Sequence, residues 1–304
     1  MALVTDSRKV HTLHRHDDNF ARMKRRVLTV PGAVLFAVIL SGCGQSAERG
    51  YLPKGVTDQS ERIISLWNGS WLAALGVGVL VWGLILWCVV AYRRKKDDVG
   101  LPVQLRYNVP IEILYTVVPL FMIAVLFAYT ARDEDVLMDT SQKPEVTVNV
   151  VGKQWTWDFN YIEAGTYEPG GQILLTGKPG IPETLPTLYL PVNKRVEFVL
   201  TSRDVIHSYW VPQFLRKLDM IPGKVNRLQL KPTEIGVFEG KCAELCGVFH
   251  ASMLFRVQVV SQVDFDAKMA DLKAAGNIGM LDNSLSREAL EPGQQQFLPK
   301  QGGN

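Results

Sequence analysis

The stretch KCAELCGVFHASM, Lys241 to Met253, places two cysteines four residues apart, a histidine four further on and a methionine three beyond that. Two readings compete for it. In one, Cys242 and Cys246 close a small disulfide loop. In the other, thiol, imidazole and thioether together ligate a soft metal. A bridge over so few residues constrains little of the unfolded chain, and it leaves His250 and Met253 without a role. Thiolate, imidazole and thioether are together a set that suits copper. A structural zinc site usually pairs two close-spaced couples and has no need of methionine.

The surroundings of this stretch read as a β-domain. VTVNVVGKQWTWDFNY (Val146–Tyr161), RVEFVLTS (Arg195–Ser202), LQLKPTEIGVFEGKC (Leu228–Cys242) and MLFRVQVV (Met253–Val260) are rich in β-branched and aromatic residues with partial alternation. Glu168-Pro169-Gly170-Gly171, Lys178-Pro179-Gly180 and Ile221-Pro222-Gly223 punctuate them as turns. The pattern predicts a small all-β sandwich or barrel over 140–262. Within it, TSRDVIHSYWVP puts a second histidine, His207, just after a strand. Helical spacing from Val263 to Ala275 predicts a C-terminal helix. The tail to Asn304 has little to bury, so 263–304 reads as a helix and a flexible tail.

Upstream, the apolar residues gather in three blocks. Arg-Arg at 25–26 and Lys24 precede fourteen uncharged residues, Val27 to Leu40, and then Ser41-Gly42-Cys43. Basic start, short apolar run and small residues are the layout of a secretory signal. As a helix the run would span about 21 Å, short of a ~30 Å hydrocarbon core. LSGC resembles the bacterial lipoprotein cleavage box, which implies a lipid on Cys43 as the mature N-terminus. Residues 1–42 are thus an N-terminal extension and signal, with Met23 a second candidate start, and 43–65 an extracytoplasmic segment. Trp71–Tyr92 has 22 uncharged residues, enough to span a membrane with aromatic anchors, and Cys88 within it reads as a buried small apolar residue. Ile113–Ala131 has 19, with Pro119 inside. A transmembrane hairpin over 66–132 follows, with helices at about 68–92 and 112–131. The loop Arg93–Arg106 carries five basic and two acidic residues, which places it in the cytoplasm and everything from Arg132 onward outside. Disulfides can persist there, so both readings of the cysteine pair stay open. Net charge, at +3, is too small to argue for a nucleic-acid partner, and four cysteines in 304 residues do not suggest a disulfide scaffold.

CAELCGVFHASM resembles the dinuclear copper loop of cytochrome c oxidase subunit II, C-x-E-x-C-x-x-x-H-x-x-M. DVIHSYWVP, GKQWTWDF and PIEILYTVVP resemble three further stretches of that family, in order. The resemblance covers roughly 60–260 and implies an α+β membrane protein of bacterial aa3 type, a two-helix hairpin followed by a cupredoxin-like Greek-key domain. It implies two copper ions bridged by Cys242 and Cys246. His207 and Met253 would complete one, and His250 and the Glu244 carbonyl the other. It further implies a magnesium ion near the Glu244 carboxylate, electron entry at Trp155, a role behind the ligands or in docking for Asp204 and Trp157, and proton uptake at Glu112. Haems would sit in the partner subunit I, with subunit III beside it, where oxygen is reduced and protons are pumped.

Two departures matter. Tyr115 stands where the family usually has Trp. Arg203 stands where it often has an acidic residue that attracts soluble cytochrome c. With the long Glu163–Pro186 segment, Arg203 points to a donor fixed in the membrane or held in a bc1–oxidase supercomplex. A stand-alone copper-binding electron-carrier lipoprotein is the alternative, but it leaves Glu112, Pro119 and the hairpin unexplained. A quinol oxidase subunit would lack the thiols and imidazoles that are present here.

Overall fold

The computed structural model describes residues 44–94, 100–101, 104–171 and 185–285. Cys43 and the signal segment, the turn at Lys178–Gly180, and the tail beyond Leu285 lie outside the described residues. The described residues divide into two units, 44–51 with a single helical turn at Gln45–Glu48, and Leu52 onward.

Two long helices open the second unit, α1 (Ser60–Ala91) and α2 (Val109–Met138), both long and apolar enough to cross a membrane. At 32 and 30 residues each is about 45 Å or more in length, well beyond a ~30 Å hydrocarbon core. Both therefore reach further than the apolar blocks predict: α1 begins at Ser60 and takes in part of the supposed extracytoplasmic segment, and α2 ends at Met138. An ion-paired cluster accounts for the extensions. The buried Asp133 carboxylate accepts from Arg62 at 2.8 Å and from Arg132 at 2.9 Å, which ties the outer turns of the two helices together. At its other end α2 is capped reciprocally. The Asn108 side chain accepts from the Ile111 N–H at 3.4 Å, the Glu112 carboxylate accepts from the Asn108 N–H at 2.9 Å, and Pro110 sits in the first turn.

Ten strands follow among the described residues: β1 (Val146–Lys153), β2 (Thr156–Tyr161), β3 (Thr166–Glu168), β4 (Thr187–Pro191), β5 (Val196–Ser202), β6 (His207–Val211), β7 (Arg216–Met220), β8 (Asn226–Leu230), β9 (Gly236–Cys242) and β10 (Leu254–Val260). They make two five-stranded sheets, ordered β3-β2-β1-β5-β8 and β4-β10-β9-β6-β7. Pairing is antiparallel except for β1 with β5 and β10 with β4. Val148, Val150, Phe159, Phe198 and Leu200 from the first sheet meet Leu188, Tyr209, Phe255 and Val257 from the second in a continuous apolar core. Gly240 leaves room for this packing, because a methyl group there would lie 2.1 Å from the Phe255 ring.

Main-chain and side-chain hydrogen bonds lock the sandwich to the outer ends of both helices. Asp58 N–H donates to the Lys231 carbonyl at 3.0 Å, and Arg216 donates to the Leu137 carbonyl at 2.6 Å. The Gln229 amide donates to the carbonyls of Thr140 and Gln142. Beyond β10, α3 (Gln262–Ala274) is capped by Ser261 and buries Phe265, Met269 and Leu272.

Directly after that helix the chain returns to the first sheet. Ile278 bridges to Thr166, Leu281 and Asn160 exchange two hydrogen bonds, and Asn283 donates to Asn149 at 2.9 Å. Asn149 and Asn160 are buried polar residues on the outer face of the first sheet, and residues 277–283 supply partners that burial requires.

Candidate metal centre

β6 and β9 are neighbours, and their register sets the site. Cys242 at the end of β9 pairs with Tyr209. His207 lies two residues earlier on β6, on the same face. Their side chains meet with Cys242 Sγ 3.9 Å from His207 Nδ1. The other donors come from the loop joining β9 to β10, closed at its base where the Cys242 N–H donates to the Met253 carbonyl at 3.0 Å. A short 3-10 turn at His250–Ser252 carries the chain back towards β10.

Cys246 Sγ lies 3.8 Å from Cys242 Sγ, 3.6 Å from His250 Nδ1 and 3.7 Å from Met253 Sδ. The Glu244 carbonyl oxygen lies 3.2 Å from Cys242 Sγ. Four residues on two chain segments, His207, Glu244, His250 and Met253, thus bring imidazole, carbonyl and thioether groups to one buried pair of sulfurs. His207, Cys242, Cys246 and Met253 are all buried, and His250 is half-buried. The disulfide reading fails on distance: a bonded pair sits about 2.05 Å apart, whereas these sulfurs are separate free thiols. The donor set fits copper, since soft sulfur and imidazole ligands surround a site that no charged cage of carboxylates shares.

Electrostatics prepare the sulfurs. The hydrogen bond between the two sulfurs lowers the Cys242 pKa well below the ordinary thiol range against the opposing effect of burial. His207 and the backbone around Glu244 and Ser208 lower it further. Cys246 is correspondingly pushed up, first by that hydrogen bond and then by burial. Burial works against charge on the His207 ring, but hydrogen bonds to Asp204 and Cys242 outweigh it and raise its pKa.

Around this shell the predicted residues sort clearly. Asp204 Oδ1 lies 2.8 Å from His207 Nε2, so the ring presents Nδ1 to the sulfurs. Trp155 is half-buried, donates its indole N–H to the Cys246 carbonyl at 3.2 Å, and packs edge-on against Phe249 at 4.9 Å. Trp157 is fully buried and donates its indole N–H to the Met253 carbonyl at 3.3 Å, a place behind the sulfurs. Glu112 is not brought to this site; it caps the opposite end of α2. Three residues of the same neighbourhood escaped the sequence reading: Gly152, Gln154 and Gly247. The first two lie inside the GKQWTWDF stretch, which was the available signal. Gly247 has φ +128°, and a methyl there would come within 2.9 Å of the Trp155 ring.

Residues 146–260 match the family model described as cytochrome c oxidase subunit II, periplasmic domain, and residues 46–131 match its transmembrane domain. The chain belongs to the cytochrome c oxidase subunit II family. It is 46% identical to a probable cytochrome c oxidase subunit 2 of Streptomyces avermitilis, over 88% of this chain and 93% of that one. It is 35% identical to cytochrome c oxidase subunit 2 of Mycobacterium tuberculosis, over 76% of this chain and 77% of the relative. The solved periplasmic domain of subunit II (CoxB) of Bradyrhizobium japonicum is 32% identical, covering 44% of this chain and 97% of that chain with a TM-score of 0.39. As a subunit II, the chain is part of a haem–copper terminal oxidase, an oxidoreductase. It is anchored in the membrane by α1 and α2 and carries its copper-binding domain on the extracytoplasmic side.

Gly152 allows His207 its position, because a methyl there would lie 3.1 Å from the ring. Gly152→Ala is therefore expected to displace the imidazole and weaken copper binding by about ten- to a hundredfold. Copper retained by the purified oxidase against a graded chelator measures this, and retention equal to the wild type counts against the placement of His207.

Proposed function

We propose that the chain holds two copper ions, through His207, Cys242, the Glu244 carbonyl, Cys246, His250 and Met253, with both thiolates shared. When bound, such a pair supplies reversible one-electron transfer spread over two metals and two sulfurs, with little rearrangement. The observation that supports this is the approach of two imidazoles, a thioether and a carbonyl to two unbonded sulfurs 3.8 Å apart.

The chain's own residues prepare the site for that role. The β6 and β9 strand ends fix His207 and Cys242, and Asp204 sets the His207 tautomer. Trp155, half-buried and hydrogen-bonded to the Cys246 carbonyl, forms the entry point from cytochrome c. The half-buried Glu244 carboxylate would be the group of this chain that holds a magnesium ion at the boundary with subunit I. Glu112 takes up protons at the cytoplasmic mouth of α2 in addition to its capping bond.

The donor cytochrome c is fixed in the membrane or held with the oxidase in a larger complex. Arg203, beside Asp204, supports this: it puts a cation where an acidic side chain would attract a soluble basic partner, and it pairs there with Asp282 at 3.3 Å. Cys43 carries the lipid that ends the signal segment.

Three measurements test these readings. The purified oxidase should contain two copper ions in this subunit, with an electron-spin signal shared over two nuclei; a single-nucleus signal sinks the paired site. Intact mass of the mature chain should start at Cys43 with added acyl mass, and an unmodified N-terminus refutes the anchor. Turnover with soluble cytochrome c should vary little with ionic strength, whereas a steep fall with salt would show electrostatic capture from solution.

A further inference from the structure

We propose that Gln154 is a positioning residue of the copper site, bracing its two halves against each other from the turn between β1 and β2. This inference rests on the copper reading above. The two halves have different mechanical character. His207 and Cys242 stand at the ends of paired strands. Cys246 and His250 stand on a loop whose only regular feature is one 3-10 turn. A loop of that kind keeps its ligands in place only if something outside it holds the main chain.

Gln154 reaches both halves at once. Its main-chain N–H donates to Asp204 Oδ2 at 2.6 Å, and the other oxygen of the same carboxylate lies 2.8 Å from His207 Nε2. Its side-chain amide donates to the Cys246 carbonyl at 2.7 Å. A continuous hydrogen-bonded path therefore runs from His207 through Asp204 and Gln154 to Cys246. The fit on the loop side is close: a methyl on Gly247 would come within 3.2 Å of Gln154 Nε2 as well as striking Trp155. The carbonyl takes both available donors, the Gln154 amide and the Trp155 indole, and so fills its two acceptor positions.

Two consequences follow from physics. Freed of the amide, the loop samples other positions and holds its metal less well; outer-shell partners of this kind are worth about ten- to a hundredfold in affinity. An N–H dipole aimed at the peptide of a thiolate ligand also favours the more electron-rich state. Its removal shifts the reduction potential of the centre downward. A side chain that merely fills space would do neither when replaced by one of similar size.

The test uses the whole oxidase purified from cells expressing Gln154→Leu, Gln154→Glu, Asp204→Asn and the Gln154→Leu/Asp204→Asn pair. Both Gln154 variants keep the main-chain N–H and lose the amide donor, Leu by putting an apolar side chain of similar size in its place and Glu by putting a carboxylate there that can only accept. Should one not assemble, the other carries the same comparison. Copper loss to a chelator is expected to be at least about tenfold easier in each, with a lower midpoint potential and altered hyperfine splitting. The double variant should cost less than the sum of the singles, because both cut one path. Wild-type retention, potential and splitting in Gln154→Leu or Gln154→Glu overturn the inference while leaving the copper reading intact. A wild-type oxidase without the paired-copper signal would sink both together.

Discussion

Two buried sulfur atoms held 3.8 Å apart, neither bonded to each other nor left without partners, set the task for the rest of the outer domain. Left alone outside the cell membrane, such a pair would tend to oxidise to a disulfide. The fold opposes this by assigning each sulfur different neighbours. Cys242 is fixed by strand pairing and turned toward His207, while Cys246 rides a loop and faces His250 and Met253. Burial of both thiols then makes the surrounding donors the groups able to satisfy them, and those donors are suited to copper.

Everything that surrounds the sulfurs contributes to holding that separation. The sandwich core of aromatic and aliphatic side chains fixes β6 and β9, and the tightness of that core appears at Gly240, where no larger residue fits against Phe255. Asp204 and Trp157 hold the ligands from behind, at the His207 ring and the Met253 carbonyl. Further out, Gln229 and Arg216 tie the same sandwich to the outer ends of α1 and α2. A one-electron site has to stand at a defined distance from both donor and acceptor, and a domain hydrogen-bonded to its membrane helices meets that condition better than one on a free tether.

Much of this was legible in the chain as written. The two spans announced themselves by length and lack of charge, and the orientation by the basic run after Tyr92. The ligand loop was legible because all but one of its side-chain donors lie within thirteen consecutive residues. Less could be read where the deciding contact is long-range. Helix ends beyond the apolar blocks depend on Asp133 meeting Arg62 across the hairpin. The order of residues 277–283 depends on two asparagines on the outer face of a sheet more than a hundred residues earlier in the chain. Nor could the sequence tell that Trp157 lies in the core, since its neighbours there come from other strands.

By itself, then, the order of residues determined the membrane hairpin, the β character of the outer domain and the clustering of thiol, imidazole and thioether in one loop, because hydrophobic period and residue spacing are local properties of a chain. What tertiary structure alone decided is how the ligands are held: that His207 comes to Cys242 through strand register, that Asp204 selects the ring nitrogen, and that Gln154 links both halves. Those relations join residues far apart in sequence, and a hydrogen bond acts only over about 3 Å, so no pattern along the chain can reveal them until the sheets have closed.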